Sequence, residues 1–454
     1  MDMRRNFFLW CLVVCVASCF VLSLDAGISQ AAKKTRVSGA APAPKKAPAK
    51  QETVAPKGVG GGDAPITVDA KGAVLMEVSS GQTLFEQNAD QPIEPASFTK
   101  VLTLYLVFEA LHKGVIHLND EVFISKDAWS TGGSKMFVDV ASKVPVEELI
   151  KGIAVVSGND ACVAMAEHIA GSVDAFVAAM NQKAQELGMT SSHFMNPDGL
   201  PAEGQITTAR DMARLDAAYI QHFPEALKYH SMHDFTYNNI TQGNRNRLLL
   251  KDDTVDGLKT GYVTAAGYHL SATGVRDGMR LLAVVMGAAN PHVREVEAAK
   301  LLSYGYHHYA ILHPFPNDAP VATIKLWKGM KDQLELFPAE AINVLVPIAQ
   351  KNALKWDVHA PEDAIAPLEP GTQLGDIVLY LNDAAFKTVP LVNREEAVKG
   401  GFMKRMWHSI LRLHNANWVL IGEILGGAVL LLLLGIFIFN RVGRSASRRR
   451  MRGF

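Results

Sequence analysis

Apolar and polar residues change rhythm several times along this chain. Over residues 72–88, GAVLMEVSSGQTLFEQN alternates apolar with polar on both sides of Ser79-Ser80-Gly81, which predicts two strands joined in a hairpin. The stretch SFTKVLTLYLVFEALHKGV that follows has helical length, and its apolar residues fall on several sides, so a buried helix is expected. VEELIKGIAVVSGNDACVAMAEHIAG and VDAFVAAMNQKAQELGM read as further helices. GYHLSATGVRDGMRLLAVVMGA reads as two strands about the turn Arg276-Asp277-Gly278, and VREVEAAKLLSYGYHHYAIL as helix again. A hairpin, many helices, more strands and a closing helix predict an α+β domain with one central sheet, over residues 64–316.

From 317 to 395 the rhythm is short. VATIKLWKG, INVLVPI, ALKWDVHA, GDIVLYL and KTVPLV are β-type runs separated by Pro, Gly, Asn and Asp, as in a small all-β domain. Residues 396–416 follow as an amphipathic helix beside a hydrophobic span. Phe402, Met406, Ile410 and Leu413 share one face, and Lys404, Arg405, His408 and Arg412 fall mostly elsewhere. That pattern suits either a membrane surface or a plain connecting helix.

A long apolar run lies near each end of the chain. Arg4 and Arg5 precede the apolar run Phe7–Leu24, and Ser29-Gln30-Ala31 is a small-x-small exit, so residues 1–31 read as a secretory signal cut after Ala31 or kept as an anchor. Residues 32–63 are an Ala/Pro/Lys-rich tether. Residues 417–440 are long and apolar enough to cross a bilayer, with Glu423 near the outer end. The arginine-rich tail 441–454 keeps its end of the span cytoplasmic. The body is therefore expected in the periplasm, held to the inner membrane.

Charge and cysteines narrow the picture only slightly. The 454 residues have a formal net charge of zero, which gives no hint of nucleic acid. Cys11, Cys15 and Cys19 lie within the signal, leaving Cys162 with no internal partner for a disulfide and the character of a small buried hydrophobe.

EPASFTK carries the first sign of chemistry: Ser97 and Lys100 stand three apart at the start of the buried helix. Residues at that spacing share a helix face. A serine hydroxyl needs a base beside it, and burial lowers a lysine pKa enough for a neutral amine to serve. The spacing alone also fits an ordinary helix start. Two later stretches change that reading: Ser157-Gly158-Asn159 in VVSGNDAC, and Lys259-Thr260-Gly261 in VDGLKTGY. S-x-x-K, S-x-N and K-T-G in that order are the motif set of penicillin-binding proteins and class A β-lactamases.

With these motifs, and with SGNDACVAMAEHIAGS, NPDGL, TARDMA, RNRLL and VDGLKTGYVTAAGYHL, residues 64 to about 395 resemble a low-molecular-mass penicillin-binding protein, a serine-type D-alanyl-D-alanine carboxypeptidase. The resemblance implies a β-lactamase/D,D-peptidase-like catalytic domain that removes the terminal D-Ala from peptidoglycan stem peptides ending in D-Ala-D-Ala, with β-lactam antibiotics as covalent inhibitors. It implies Ser97 as nucleophile, Lys100 as base and Ser157 as proton relay. Asn159 would hold the substrate amide, Lys259 supply positive potential and Thr260 bind the terminal carboxylate. Gly261 would let an extended peptide add to the strand, and the backbone N–H groups of Ser97 and Tyr262 would form the oxyanion hole. Arg294 is either a carboxylate ligand or a helix-surface charge, and Ser134 is expected to line the cleft. No cofactor and no metal is implied, since His307-His308 and the other histidines lack H-E-x-x-H spacing.

The chain departs from the pattern at Tyr262, where a histidine is common, in its longer tether and in its membrane span. No E-x-x-L-N glutamate of a β-lactamase lies between the second and third motifs. A D,D-endopeptidase acting on cross-links uses the same chemistry. A non-catalytic scaffold for peptidoglycan or division proteins is the alternative from another class.

Overall fold

A computed structural model of the protein describes residues 66–316, 318–414, 422 and 425–437. The expected signal (1–31), linker (32–63) and basic tail (441–454) lie outside the described residues. The predicted hairpin is present as β1 (Gly72–Glu77) and β2 (Gln82–Gln87). A 3-10 turn, Ala96–Phe98, leads directly into α1 (Thr99–His112). Two short strands, β3 (Glu121–Phe123) and β4 (Lys143–Pro145), bracket α2 (Lys126–Ser130) and precede five helices. These are α3 (Val146–Ala154), α4 (Asn159–Ala170), α5 (Val173–Glu186), α6 (Ala209–His222) and α7 (Leu227–His230). The small hairpin β5 (Asp234–Tyr237) and β6 (Ile240–Gly243) follows, then the long strands β7 (Val255–Val263), β8 (Gly267–Arg276) and β9 (Met279–Ala288), and α8 (Pro291–His308).

The five long strands form an antiparallel sheet in the order β2-β1-β9-β8-β7, so β7 is an edge strand. Both faces of its centre are covered. Val74, Leu282, Val284 and Met286 point into a core shared with α1, α3, α4, α5 and α6. Ala73, Leu75, Leu281, Ala283 and Val285 point into a second core under α8. That explains why β9 reads as a nearly continuous apolar run and not as a clean alternation. α1 is buried on nearly every side, as expected, and Lys100 is the cation within it.

The VEELIKGIAVVSGNDACV stretch breaks into α3 and α4 around Val155–Gly158. Ser157 there adopts φ 63°, a left-handed conformation rare outside glycine. The Asp160 carboxylate, in the first turn of α4, accepts the backbone N–H groups of Met136 and Phe137 at 3.0 and 2.9 Å. A continuous helix would remove that anchor.

The closing helix also ends early. Tyr309–Leu312, expected as helix, is β10, paired with β13 (Val344–Pro347). The reason is tertiary: a waiting strand supplies the ladder that helical periodicity cannot reveal. β-structure thus begins ahead of the expected boundary at 317. The all-β domain contains β11 (Ala322–Trp327), β12 (Gln333–Pro338), β14 (Leu354–His359), β15 (Asp363–Ile365), β16 (Gln373–Leu381) and β17 (Ala384–Val392). They form one sheet ordered β14-β16-β17-β12-β11-β15 over a core that includes Leu336, Ile377, Leu379, Val389 and Leu391.

The expected amphipathic helix is α9 (Phe402–His414). It docks on the all-β domain through polar side chains: His408 Nδ1 accepts the Lys328 N–H at 2.9 Å, and Lys404 pairs with Asp332 at 2.8 Å. Phe402, Met403, Met406 and Trp407 stay exposed. Within the expected span 417–440, Leu425–Phe437 is an apolar helix, but no single helix among the described residues is long and apolar enough to cross a membrane.

Candidate active site

The three motifs, far apart in sequence, converge where α1, α4 and the edge strand β7 meet. Ser97 sits in the 3-10 turn, and Lys100 lies one turn on, inside the core. The Lys100 amine donates to Ser97 Oγ at 3.1 Å and also to the Asp198 carbonyl. No part of Lys100 is exposed. Burial therefore holds its pKa below the ordinary lysine value, against the pull of Cys162, Asp198 and Asp160.

A second serine–lysine pair faces the first. Lys259 Nζ donates to Ser157 Oγ at 3.0 Å and to its neighbour's carbonyl, that of Thr260, at 3.1 Å. Burial lowers Lys259 well below its usual value, and the charges of Lys100 and Arg245 lower it further. Asn159, at the start of α4, is tied into the loop before it. Its N–H donates to the Ser134 carbonyl and its Nδ2 to the Gly132 carbonyl, both at 2.7 Å. Ser134 thus joins the second motif through its backbone.

Sterics fix the position of Ser97. Ala96 takes φ 48°, which turns the chain sharply just ahead of Ser97. Three close approaches hold that turn. At Gly199, φ is 82° and a Cβ would lie 1.8 Å from the Ala96 carbonyl oxygen. At Gly261 a Cβ would lie 3.3 Å from Ala96 Cβ and 3.4 Å from the Pro95 carbonyl oxygen. His269, across the ladder from Gly261, bonds the Glu94 carbonyl at 3.0 Å. The bare face of Gly261 therefore meets the segment that carries Ser97, which brings β7 against Ser97.

Thr260 is buried beside Lys259, whereas Tyr262 is half exposed and stacks on Tyr268 with ring centroids 4.3 Å apart. Arg294 is not a helix-surface charge. It is buried, its Nη1 donates to the Gly261 and His269 carbonyls at 3.3 Å each, and its guanidinium lies over Tyr268. Its Nε is one of the few buried polar atoms without a partner among the described residues. Cys162 is fully buried near Lys100, and burial pushes its thiol up to about 12, which fits a packing role and leaves it inert as a nucleophile.

Asp198, Gly199, Asp160, Arg245 and His269 were not singled out in the sequence. NPDGL, SGNDA, RNRLL and GYHL contain them, but their part depends on tertiary approach. The arrangement as a whole presents a nucleophilic hydroxyl with a buried amine, a second hydroxyl–amine pair and an edge strand open to an extended peptide.

Comparison with known proteins places the chain in a family. Residues 60–290 match the family model described as D-alanyl-D-alanine carboxypeptidase, and residues 309–399 match that of the penicillin-binding protein 5 C-terminal domain. The chain is 40% identical over 353 residues to the D-alanyl-D-alanine carboxypeptidase DacC of Escherichia coli, covering 76% of this chain and 88% of that one. Its fold is similar to penicillin-binding protein 5 from Haemophilus influenzae, with a TM-score of 0.65 and 37% identity, over 74% of this chain and 100% of that one. It is also similar to penicillin-binding protein D2 from Listeria monocytogenes in its cefotaxime-bound form, with a TM-score of 0.50 and 28% identity, over 54% of this chain and 100% of that one.

Proposed function

The chain belongs to the D-alanyl-D-alanine carboxypeptidase family of serine peptidases and is itself such a carboxypeptidase, and from that premise we propose that it works through an acyl-enzyme on Ser97. The observation that carries the mechanism is the Lys100 amine, fully buried and 3.1 Å from Ser97 Oγ.

A stem peptide ending in D-Ala-D-Ala adds along the open edge of β7, pairing its backbone with the strand. Its terminal carboxylate meets Thr260, with the Lys259 charge and Arg294 nearby, and its amide is held by Asn159. Ser97 Oγ attacks the carbonyl carbon of the penultimate D-Ala while its proton passes to Lys100. The oxyanion rests on the backbone N–H groups of Ser97 and Tyr262. Ser157 relays a proton to the departing nitrogen, the C–N bond breaks and D-Ala leaves. Water then attacks the ester, Lys100 takes its proton, the C–O bond breaks and Ser97 regains its hydrogen. β-Lactams carry the same carboxylate and amide and enter at the first step, as the cefotaxime-bound Listeria relative supports.

The outward apolar residues of α9 and the hydrophobic stretch 417–440 support attachment to the inner membrane. In this reading the catalytic domain is periplasmic and the tail from Arg441 cytoplasmic. The test of function is direct. Incubation of the soluble body with muropeptides should release D-Ala from pentapeptide stems by mass, and benzylpenicillin should label the peptide containing Ser97. Label on any other residue overturns the mechanism, and cleavage confined to cross-links makes the enzyme an endopeptidase.

A further inference from the structure

The segment that presents Ser97 is tied to the sheet by one side chain outside the three motifs. His269 on β8 is completely buried. Its Nδ1 lies 2.9 Å from the backbone N–H of Gly287 on β9, so Nδ1 is the acceptor. The proton therefore resides on Nε2, which donates to the Glu94 carbonyl at 3.0 Å. The tautomer is dictated by the partners. Phe98, next to Ser97, packs against the ring at 5.4 Å between centroids, and the imidazole edge lies under Gly261. Burial pushes its pKa down to about 4, so the ring is neutral where the enzyme works.

We infer that His269 is a positioning residue for the nucleophile: it spans from β9 to the Glu94 carbonyl and holds the turn Glu94–Ser97 against the edge strand. Nothing in β8 packing requires a polar ring here. A leucine would fill the space but leave the Glu94 carbonyl and the Gly287 N–H without partners, and the turn would gain freedom at Ser97. An error of about 1 Å at a reacting atom costs on the order of a hundredfold in rate. The inference rests on the reading of Ser97 as nucleophile.

Three variants separate positioning from simple stability. His269→Gln places a side-chain amide N–H where Nε2 is and keeps the Glu94 bond. His269→Asn keeps an acceptor for Gly287 and loses the donor to Glu94. His269→Leu loses both. Acylation of full-length protein by benzylpenicillin, split into a binding constant and a first-order rate, is measured beside thermal melting. The rate is expected to stay within about threefold for His269→Gln and to fall about tenfold or more for His269→Asn, with the binding constant unchanged. His269→Leu should follow His269→Asn; should it fail to fold, the Gln–Asn comparison decides. Near-normal rates in both amide variants, or equal losses that track the melting temperature, overturn the inference. Nitrogen NMR of the unmodified protein gives an independent arm: the Nε2–H tautomer supports it and the Nδ1–H tautomer refutes it. Absence of label on Ser97 in the unmodified enzyme would instead sink the underlying mechanism, so the two failures are distinct.

Discussion

Gly199→Ala is the sharpest probe of how the Ser97 turn is held. A Cβ at this position would sit 1.8 Å from the Ala96 carbonyl oxygen, where real Cβ atoms essentially never come within 3.0 Å. The obstacle is backbone, so the Ala96 peptide or the NPDGL loop must move by about 1.2 Å. Either movement reaches the chemistry. Ala96 adjoins Ser97, and the Asp198 carbonyl beside Gly199 holds the Lys100 amine. A displacement of about 1 Å at reacting groups costs on the order of a hundredfold, so acylation should fall by about a hundredfold or more. Left-handed backbone adds a stability cost of about 1–2 kcal/mol for any residue with a Cβ. Gly204→Ala isolates that cost, because Gly204 has φ 83° but its nearest neighbour to a Cβ is Met195 Sδ at 3.9 Å. The assay is the rate of acylation by benzylpenicillin, with melting temperature recorded for both variants. Gly204→Ala should lose stability and keep its rate, whereas Gly199→Ala should lose both. A Gly199→Ala enzyme that acylates within about threefold of normal would refute the claim that this contact sets the nucleophile.

Other outcomes follow from the same contacts. Lys100→Ala should slow acylation by about a hundred- to ten-thousand-fold, and the unmodified rate should rise with pH through a midpoint below 10.5, because burial favours the neutral amine; a midpoint at 10.5 would deny that burial activates it. Arg294→Ala should lower turnover of a D-Ala-D-Ala peptide about ten- to a hundredfold and affect an ester lacking the terminal carboxylate much less; equal losses would make Arg294 a brace for the Gly261 and His269 carbonyls only. Asp216, fully buried and accepting a hydrogen bond from Ser271, has its carboxyl raised to about 7 by burial. Between about 4 and 7 the folded state thus binds more protons than the unfolded one, and stability falls as pH rises through that window. Asp216→Asn should therefore raise stability more at pH 8 than at pH 5, by a few kcal/mol at about 1.36 kcal/mol per pKa unit, read as a larger rise in melting temperature at pH 8; an equal shift at both would remove the argument.

What was legible in the sequence was local or repeated. Three residues along a helix is a fixed distance in space, so Ser97 and Lys100 could be placed on one face from spacing, but only the two later motifs lifted that pair above an ordinary helix start. The hairpin at Ser79–Gly81 and the β8–β9 turn were legible for the same reason. Ser157 and Lys259 were recognisable only as members of a motif set, since nothing in the intervening residues says that β7 returns beside α4. Gly199 and Gly261 look like ordinary loop and strand glycines until the Ala96 turn is placed against them. Arg294 had a carboxylate-ligand reading from the resemblance and a surface-charge reading from its helix, and burial against the Gly261 and His269 carbonyls eliminated the surface one. β10 failed for a similar reason: Tyr309-Ala-Ile-Leu extends a helical pattern, and its strand partner is remote in sequence.

The two buried amines raise a question of charge that the motifs alone do not. Two ammonium groups in one buried site repel each other, and burial penalises each separately. The resting site is thus best served by fewer than two protons. Lys100 has the hydroxyl of Ser97 and the Asp198 carbonyl for partners, and Lys259 has Ser157 and the Thr260 carbonyl, so hydrogen bonding alone barely distinguishes them. A bound substrate carboxylate would distinguish them. A carboxylate docked at Thr260 would lie on the Lys259 side and favour the proton there, which would leave Lys100 neutral beside Ser97. Binding of the correct terminus would then help set the base in its working state. A substrate lacking that carboxylate would forfeit this bias as well as a hydrogen bond, and its loss should appear in the rate of acylation more than in affinity.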